Sequence, residues 1–322
     1  MADSTPNRPG LDANGGADVN ALMLALFGGE VITAFQKNTM LMDKHQSKTL
    51  SKGKEFRFPA IWKATGGYHT PGTEITGDTI PHTEIIVSPD DKLVSSVFIA
   101  DIDELLNHFD VRQPYTTELG RFLAEHYDSN ILRTLLLSAR GPALFAGDQG
   151  GGALQNAGFD ADANILIDGI SQAKEVMDVK DVPIHSQPVH ALLAPAQWYR
   201  IARSDKNLNR DTNGGTASVK SMTLTTIDDI NVHKSNIAAG VFGADDSANA
   251  NIPAKYRAKF GTTRGVVWTP MAACSALVQR PSFQIVDQPE KQGTLLLSRM
   301  MVGTDPLRTK CAVELRTGAI PA

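Results

Sequence analysis

One apolar stripe between Pro114 and Ala139 constrains the fold more than any other feature of the sequence. Its members recur at spacings of three and four residues, which is the repeat of one helix face. Pro114 suits a first helical turn, and Gly141-Pro142 ends the pattern. The sequence therefore predicts a helix over 114–140, about 35–40 Å long at 1.5 Å per residue. The stripe consists of Tyr115, Leu119, Phe122, Leu123, Tyr127, Ile131, Leu132, Leu135 and Leu136.

The segment 51–89 has the opposite character. It contains four prolines and five glycines, and short β-type runs such as 55–58 and 83–87 stand between them. This composition predicts two strands joined by a long, irregular tip. Since the segment has few large side chains with which to form a core, we expect it to lie on another surface, of its own chain or of a neighbour.

The remaining pattern predicts a mixed α+β chain with two compact units, which is also what 322 residues suggest. Residues 1–18 are typical of a disordered arm, and a short amphipathic helix is expected at 19–27. A second longer helix is expected at 165–178. Strands are predicted at 93–100, 189–194, 231–234, 265–278, 284–286, 295–302 and 309–315.

Composition excludes several classes of function. The formal net charge of −4 gives no basic surface for tight nucleic-acid binding, although a protein lining a DNA container remains compatible with it. Cys274 and Cys311 lack CxxC spacing and lie in apolar stretches, which predicts buried, reduced thiols. No targeting segment or apolar run near the roughly 18 residues of a membrane span is found, so we expect a cytoplasmic product.

Motifs for catalysis, cofactors and metals are missing. The glycine run 147–152 is followed by no Lys-Ser or Lys-Thr, which favours a flexible loop over a phosphate site. The eight histidines include no HExxH, and no GxSxG occurs. We therefore assign no catalytic, cofactor-binding or metal residues and predict that the chain is not an enzyme.

A basic cluster lies at the base of the predicted hairpin. We favour a contact between this cluster and an acidic patch on a neighbouring subunit, because the hairpin needs a surface to lie on. A nucleic-acid patch and a solvated basic stem remain open. The cluster consists of Lys48, Lys52, Lys54 and Arg57.

Three blocks, in order and at matching separations, resemble the major capsid proteins of short-tailed phages of the T-odd coliphage type. The first is Leu26-Phe27-Gly28-Gly29-Glu30-Val31-Ile32-Thr33-Ala34-Phe35, and the second is His82-Thr83-Glu84 before a strand. The third comprises Asp101-Ile102-Asp103-Glu104, Asn107-His108-Phe109-Asp110-Val111-Arg112, Tyr115-Thr116 and Leu119-Gly120. Together they span residues 26 to about 125; a turn near Pro195 to Tyr199 is a weaker similarity.

The resemblance implies the tailed-phage capsid fold, also called the Hong Kong 97-like fold. In that fold the chain has an N-terminal arm, an extended loop, a peripheral domain with a long spine helix, and an axial domain. The implied bounds are 1–45 for the arm, 46–92 for the extended loop, 93–160 for the peripheral domain with spine helix 114–140, 161–280 for the axial domain, and 281–322 for the return to the peripheral domain.

The resemblance also implies a function and partners. We expect a major capsid protein that assembles into hexamers and pentamers of an icosahedral head shell around double-stranded DNA. Expected partners are other copies of the chain, a scaffolding protein, the portal protein, a decoration protein and, non-specifically, the packaged DNA, with no membrane. The place would be the virion capsid, after assembly in the bacterial cytoplasm.

The extended loop carries the residues expected to contact neighbouring subunits. They are Lys52, Lys54, Phe56, Arg57, Phe58, Ile61, Trp62 and Tyr68. Three other interpretations stay open: an encapsulin-like cargo compartment of bacteria, a hydrolase or nucleotide-binding enzyme, and a tail or connector component.

Overall fold

The structure, a computed structural model, describes most of the chain as two compact units. The described residues are 31, 33–35, 38–50, 53–64, 66–72, 74, 77–102, 112–204 and 226–320. The arm expected at 1–18 and the short helix expected at 19–27 lie outside them. The first unit comprises the described residues of 1–40, 91–128 and 277–302. The second unit comprises those of 41–90, 129–276 and 303–322.

Helices and strands with defined bounds in the described part of the chain supply the framework. The helices are α1 (Arg112–Arg140), α2 (Ala163–Val179), α3 (Pro195–Ala202) and α4 (Asn236–Val241). The first six strands are β1 (Gln46–Thr49), β2 (Phe56–Ile61), β3 (His82–Val87), β4 (Leu93–Ala100), β5 (Gly152–Gln155) and β6 (Val189–Leu193). The others are β7 (Thr226–Ile227), β8 (Ile230–Lys234), β9 (Thr263–Trp268), β10 (Ala273–Gln288), β11 (Gly293–Pro306) and β12 (Ala312–Arg316). Among the described residues, no helix combines the length and apolar character needed to cross a bilayer.

Helix α1 confirms the predicted helix, but its apolar stripe is narrower than the sequence suggested. Tyr115 and Phe122 are 40% and 36% exposed, whereas Thr116 and Gly120 are buried. With 3.6 residues per turn, the two aromatic residues project on one side of Leu119, while Thr116 and Gly120 project on the other. The helix buries the side with the smaller residues, which allows close packing and leaves the two aromatic rings at the surface.

In the first unit, a core forms where α1 packs on antiparallel strands. Strand β4 pairs with β11, with Ile99 opposite Thr294 and Val97 opposite Leu296. Alternate residues of β4 point to opposite faces, so Val97 and Ile99 face inward while Val94 and Phe98 are exposed. Ile99 and Leu296 form the core with Leu119 of α1.

The second unit is built on a mixed six-stranded sheet in the order β5-β12-β9-β6-β8-β7. All five residues of β6 are buried, as a central strand covered on both faces requires. Strand β6 pairs in parallel with β8 and antiparallel with β9. Helix α2 packs on β5, β9 and β12, and it buries Leu166, Ile170, Ala173 and Met177 completely.

Two proline positions correct the predicted strand boundaries. The single strand expected at 265–278 is two strands, because a turn at Pro270–Ala272 separates β9 from β10. Conversely, β10 continues through Pro281 and joins the separate strand expected at 284–286. The turn expected near Pro195 is the start of α3, where proline occupies the first helical position.

A buried ion pair fixes the end of α1 to strand β12. Arg140 donates to both carboxylate oxygens of Glu314, over 2.8 Å and 2.6 Å, and Glu314 has no exposed surface. Thr263 also donates to Glu314, and Arg140 donates to the Lys259 carbonyl at 2.7 Å. These hydrogen bonds replace the water that both charges lose on burial, which is the condition for a tolerated buried pair.

Replacing Glu314 with Gln should destabilise the protein by roughly 3–5 kcal/mol, because Arg140 would keep a buried charge without its counter-ion. Urea unfolding followed by circular dichroism measures the loss. The exposed pair of Arg121 and Glu125 on the same helix provides the control. Glu125→Gln should cost less than about 1 kcal/mol, and equal costs for the two variants would contradict a structural role of the buried pair.

Candidate assembly surface on the β2–β3 hairpin

Strands β2 and β3 form an antiparallel hairpin with two unlike faces. The register places Phe56 opposite Val87, Phe58 opposite Ile85 and Ile61 opposite His82. Since side chains alternate along a strand, Phe56, Phe58 and Ala60 share one face, and Arg57, Pro59 and Ile61 share the other. The first face is half-buried to buried, and the second is exposed.

The covered face of the hairpin is held by its own chain. The rings of Phe56 and Phe58 lie 4.5 Å apart, beside buried Val87 and Ala60. The sequence predicts Phe56 and Phe58 as contacts to a neighbour. In the isolated chain, alternation turns both rings toward the protein, and Ile61 of the other face is 65% exposed.

Trp62 anchors the outer end of β2. Its backbone N–H donates to the Pro81 carbonyl at 2.9 Å, and its ring stacks on Phe145 at 5.2 Å between centroids. The Lys310 ammonium lies 5.6 Å from the centre of the Trp62 ring and 3.3 Å from Asp148. The next residue, Lys63, forms an ion pair with Asp181. The long hairpin therefore rests on its own subunit at this point.

The tip of the hairpin beyond Trp62 is exposed to solvent. Every described residue from Lys63 through His82 is exposed, and Tyr68 and Ile80 are the large apolar side chains among them. A fully exposed stretch of this length gains little from burial within the subunit. A partner could therefore bury a large exposed surface on the tip.

Charges on the exposed face are partly neutralised within the hairpin. Arg57 donates to Glu55 at 2.6 Å and to Glu84 at 2.9 Å. The hydrogen bond with Glu55 is the main cause that raises the pKa of Arg57, followed by the one with Glu84. Of the predicted basic cluster, Lys48 and Lys54 are exposed and Lys52 lies outside the described residues.

Both cysteines of the chain lie in the second unit. Cys274 and Cys311 are free and buried, as the sequence predicts, and burial raises the pKa of the Cys274 thiol to about 12. A thiol of that pKa is a poor nucleophile at neutral pH. In the described part of the chain, no three His, Cys, Asp or Glu side chains lie together as a metal site would need.

The end of the glycine run, Gly150–Gly152, is packed against the protein, whereas Gly147 has open space around it. A Cβ atom on Gly151 would lie 2.2 Å from the Ala139 carbonyl oxygen, so only glycine fits beside the end of α1. The sequence predicts a flexible loop over 147–152, and the structure shows close backbone packing for the last three of these residues.

Two histidines face each other on the central sheet. His233 Nε2 and His190 Nδ1 are 3.3 Å apart, across the neighbouring strands β8 and β6. Burial is the main cause that lowers both pKa values to about 4; nearby Lys44 lowers both further, as does His233 for His190. Both rings are therefore neutral at pH 7 and share one hydrogen bond.

Comparison with known proteins shows which family the chain belongs to. A family model described as Gp10A-like major capsid protein matches residues 57–316. The chain belongs to this family. The match includes nearly the whole hairpin, both longer helices and the complete six-stranded sheet.

Individual relatives and solved structures that resemble the chain are also capsid proteins. The major capsid protein of Enterobacteria phage T3 is 39% identical over 121 residues, which cover 37% of this chain and 35% of that protein. The capsid structure of cyanophage P-SCSP1u is 31% identical, with a TM-score of 0.78 over 98% of this chain and 99% of that one. The capsid structure of bacteriophage PhiM1 is 14% identical, with a TM-score of 0.72 over 88% of each chain, and supports the fold alone.

These comparisons confirm the predicted capsid family and the Hong Kong 97-like fold. The predicted contact residues remain predictions, but their geometry divides them. Lys54, Arg57, Ile61 and Tyr68 are exposed, whereas Phe56, Phe58 and Trp62 are partly covered. Sequence reasoning missed Ile86, which is 47% exposed on the outer face opposite Arg57. Strict alternation along β3 would have found it.

Replacing Trp62 with Ala should loosen the hairpin while leaving most of the stability intact. The stack on Phe145 is a half-exposed aromatic pair, worth about 1 kcal/mol. Tryptic cleavage after Lys63 should accelerate several-fold, because local opening exposes that bond. Trp62→Phe keeps an aromatic stack and is the control; cleavage at the same rate in both variants would show that the stack does not hold the hairpin.

The facing histidines predict an acid-sensitive second unit. Their pKa values lie below that of an unfolded histidine, so the unfolded chain binds more protons between pH 6.5 and about 4. Stability should therefore fall as pH decreases through that range, because protonation of either ring favours the unfolded chain. Chemical unfolding of the wild type and of the double variant His190→Gln/His233→Gln across this pH range measures the loss of stability. Parallel pH profiles for the two proteins would contradict a role of the histidine pair.

Proposed function

We propose that the chain is the subunit of a phage head shell and assembles into hexamers and pentamers around double-stranded DNA. The observation that carries this proposal is the match of the capsid family to residues 57–316, together with the structural similarity to the P-SCSP1u capsid over nearly the whole chain. The role is structural and not catalytic. The encapsulin-like alternative is not favoured, because the matched family and the curated relatives are phage capsid proteins.

Within such a shell, residues 46–92 act as the extended loop that lies across a neighbouring subunit. The exposed tip from Lys63 to His82 and the outward Ile61 and Ile86 support this assignment, since they offer apolar surface that the subunit leaves uncovered. Glycines and prolines in the tip let it fit unlike neighbours in hexamers and pentamers, and they limit unwanted strand pairing.

The other predicted parts complete the proposal. Residues 1–45 serve as the arm, 93–160 and 281–322 as the peripheral domain, and 161–280 as the axial domain. Partners besides further copies of the chain are a scaffolding protein, the portal protein, a decoration protein and the packaged DNA. The DNA is enclosed without tight binding, in keeping with a net charge of −4. Assembly takes place in the bacterial cytoplasm, and the product is part of the virion.

Deleting residues 51–80 should leave a soluble subunit that fails to form shells, because the contacts of the loop with neighbours are lost. A narrower variant replaces 64–80 with an Asn-Gly turn, which keeps β2, β3 and the Trp62 stack while removing only the exposed tip. Negative-stain microscopy of the expressed protein measures assembly, and thermal unfolding checks the fold.

Three outcomes are informative. Closed shells from the wild type and none from the folded tip variant support the loop assignment. Normal shells from both loop variants contradict that assignment while leaving the capsid function in place. Rings or tubes from the wild type, instead of closed shells, contradict the capsid function and favour a connector or tail component.

A further inference from the structure

Lys255 lies at the base of the hairpin, beside the segment that follows the end of β3. Its ammonium group has three acceptors: the Ser88 carbonyl at 2.9 Å, Asp90 at 2.8 Å and Asp305 at 3.4 Å. An ammonium group has three N–H donors, so this arrangement uses all of them. The first two acceptors belong to the segment that follows β3, and the third lies near the end of β11.

The same carboxylates hold the segment by further hydrogen bonds. Asp305 accepts from the Ser88 N–H at 3.0 Å, and Asp90 accepts from the Tyr256 hydroxyl at 2.5 Å. The backbone N–H of Thr304 donates in turn to the Tyr256 oxygen at 2.9 Å. Tyr256 and Thr304 are almost completely buried, so this end of the network is fixed in the core.

A glycine on β11 gives independent evidence for the contact. A Cβ atom on Gly303 would lie 2.0 Å from the Ser88 oxygen and 2.6 Å from the Pro89 Cα atom. The two backbones touch where any other residue would force them apart. Charge pairing and steric fit therefore both tie Ser88–Asp90 to Gly303–Asp305.

We propose that Lys255 is a positioning residue that sets the direction in which the hairpin projects from the second unit. The inference rests on the proposed function, in which the hairpin must reach a neighbouring subunit. The six residues of β3 extend about 20 Å at 3.3 Å per residue, so the Trp62 stack holds the outer end of the strands and a second contact is needed to fix their angle at Ser88. Lys255 joins the segment after β3 to the end of β11. Removing its ammonium group should therefore loosen the segment Ser88–Asp90.

Replacing Lys255 with Met tests the proposal, because Met keeps the apolar stem but removes the charge and all three donors. Hydrogen exchange of the soluble subunit, read on peptides covering 82–90, should become about tenfold faster. Lys255→Arg, which retains donors and charge, should restore most of the protection. Gly303→Ala should loosen the same peptides by pushing Ser88 away without altering any charge.

The buried pair of Arg133 and Asp246 provides the matched control, since it lies in the same unit and its side-chain hydrogen bonds join Arg133 to Asp246 and Asn130. Its atoms are 2.9 Å apart, and both side chains are nine-tenths buried. Arg133→Met should lower thermal stability without changing exchange in 82–90. If Lys255→Met fails to fold, Lys255→Gln and Gly303→Ala supply the same comparison.

Assembly gives the second readout. Folded Lys255→Met should form few or irregular particles by negative stain, whereas Lys255→Arg should approach the wild type. The proposal is overturned if 82–90 exchanges no faster in Lys255→Met than in Arg133→Met, or if Lys255→Met builds normal shells. Failure of the wild type itself to form shells counts against the proposed function, and the exchange comparison still decides the role of Lys255.

Discussion

The buried ion pair between Arg140 and Glu314 is the contact on which the second unit depends. Arg140 is the last residue of α1, and Glu314 lies in β12, the strand between β5 and β9. A charged pair is directional in a way that apolar packing is not, because both groups must meet in one geometry to avoid the cost of burial. The pair therefore fixes where the long helix ends relative to the sheet.

The hairpin solves a different physical problem. It is too thin to form a core, so one face is covered by the rest of the chain while the other face and the tip stay exposed. Phe56 and Phe58 turn inward, Trp62 stacks on Phe145, and the exposed tip begins at Lys63. The Lys255 network at the base and the Trp62 stack at the outer end hold the strands at two points. In the proposed shell, such an element would keep a defined direction while its exposed tip adapts to unlike neighbours.

Much of the framework was predictable because its signals are local. Periodicity and composition predict the helix over 114–140, the strands β4, β6 and β8, and the buried cysteines. The structure confirms all of them, with the helix starting two residues earlier, at Arg112. The predictions were wrong where the local sequence fits two arrangements equally well and tertiary packing selects one of them. Tyr115 and Phe122 fit an apolar stripe as well as their neighbours do, yet the helix buries its side with small residues. Pro281 is a local strand breaker, yet β10 continues through it.

The sequence by itself determined the α+β class, the long helix, the hairpin with its long, irregular tip, and the similarity to phage capsid proteins. Those properties depend on residues close together in the chain and on short sequence segments that resemble a known family. Only the tertiary structure decided which face of the hairpin is covered and which residues hold its base. Ser88, Lys255 and Asp305 are far apart in sequence, and no periodicity links them. Their meeting is set by the packing of β3, β11 and the segment around Tyr256, which local pattern does not encode.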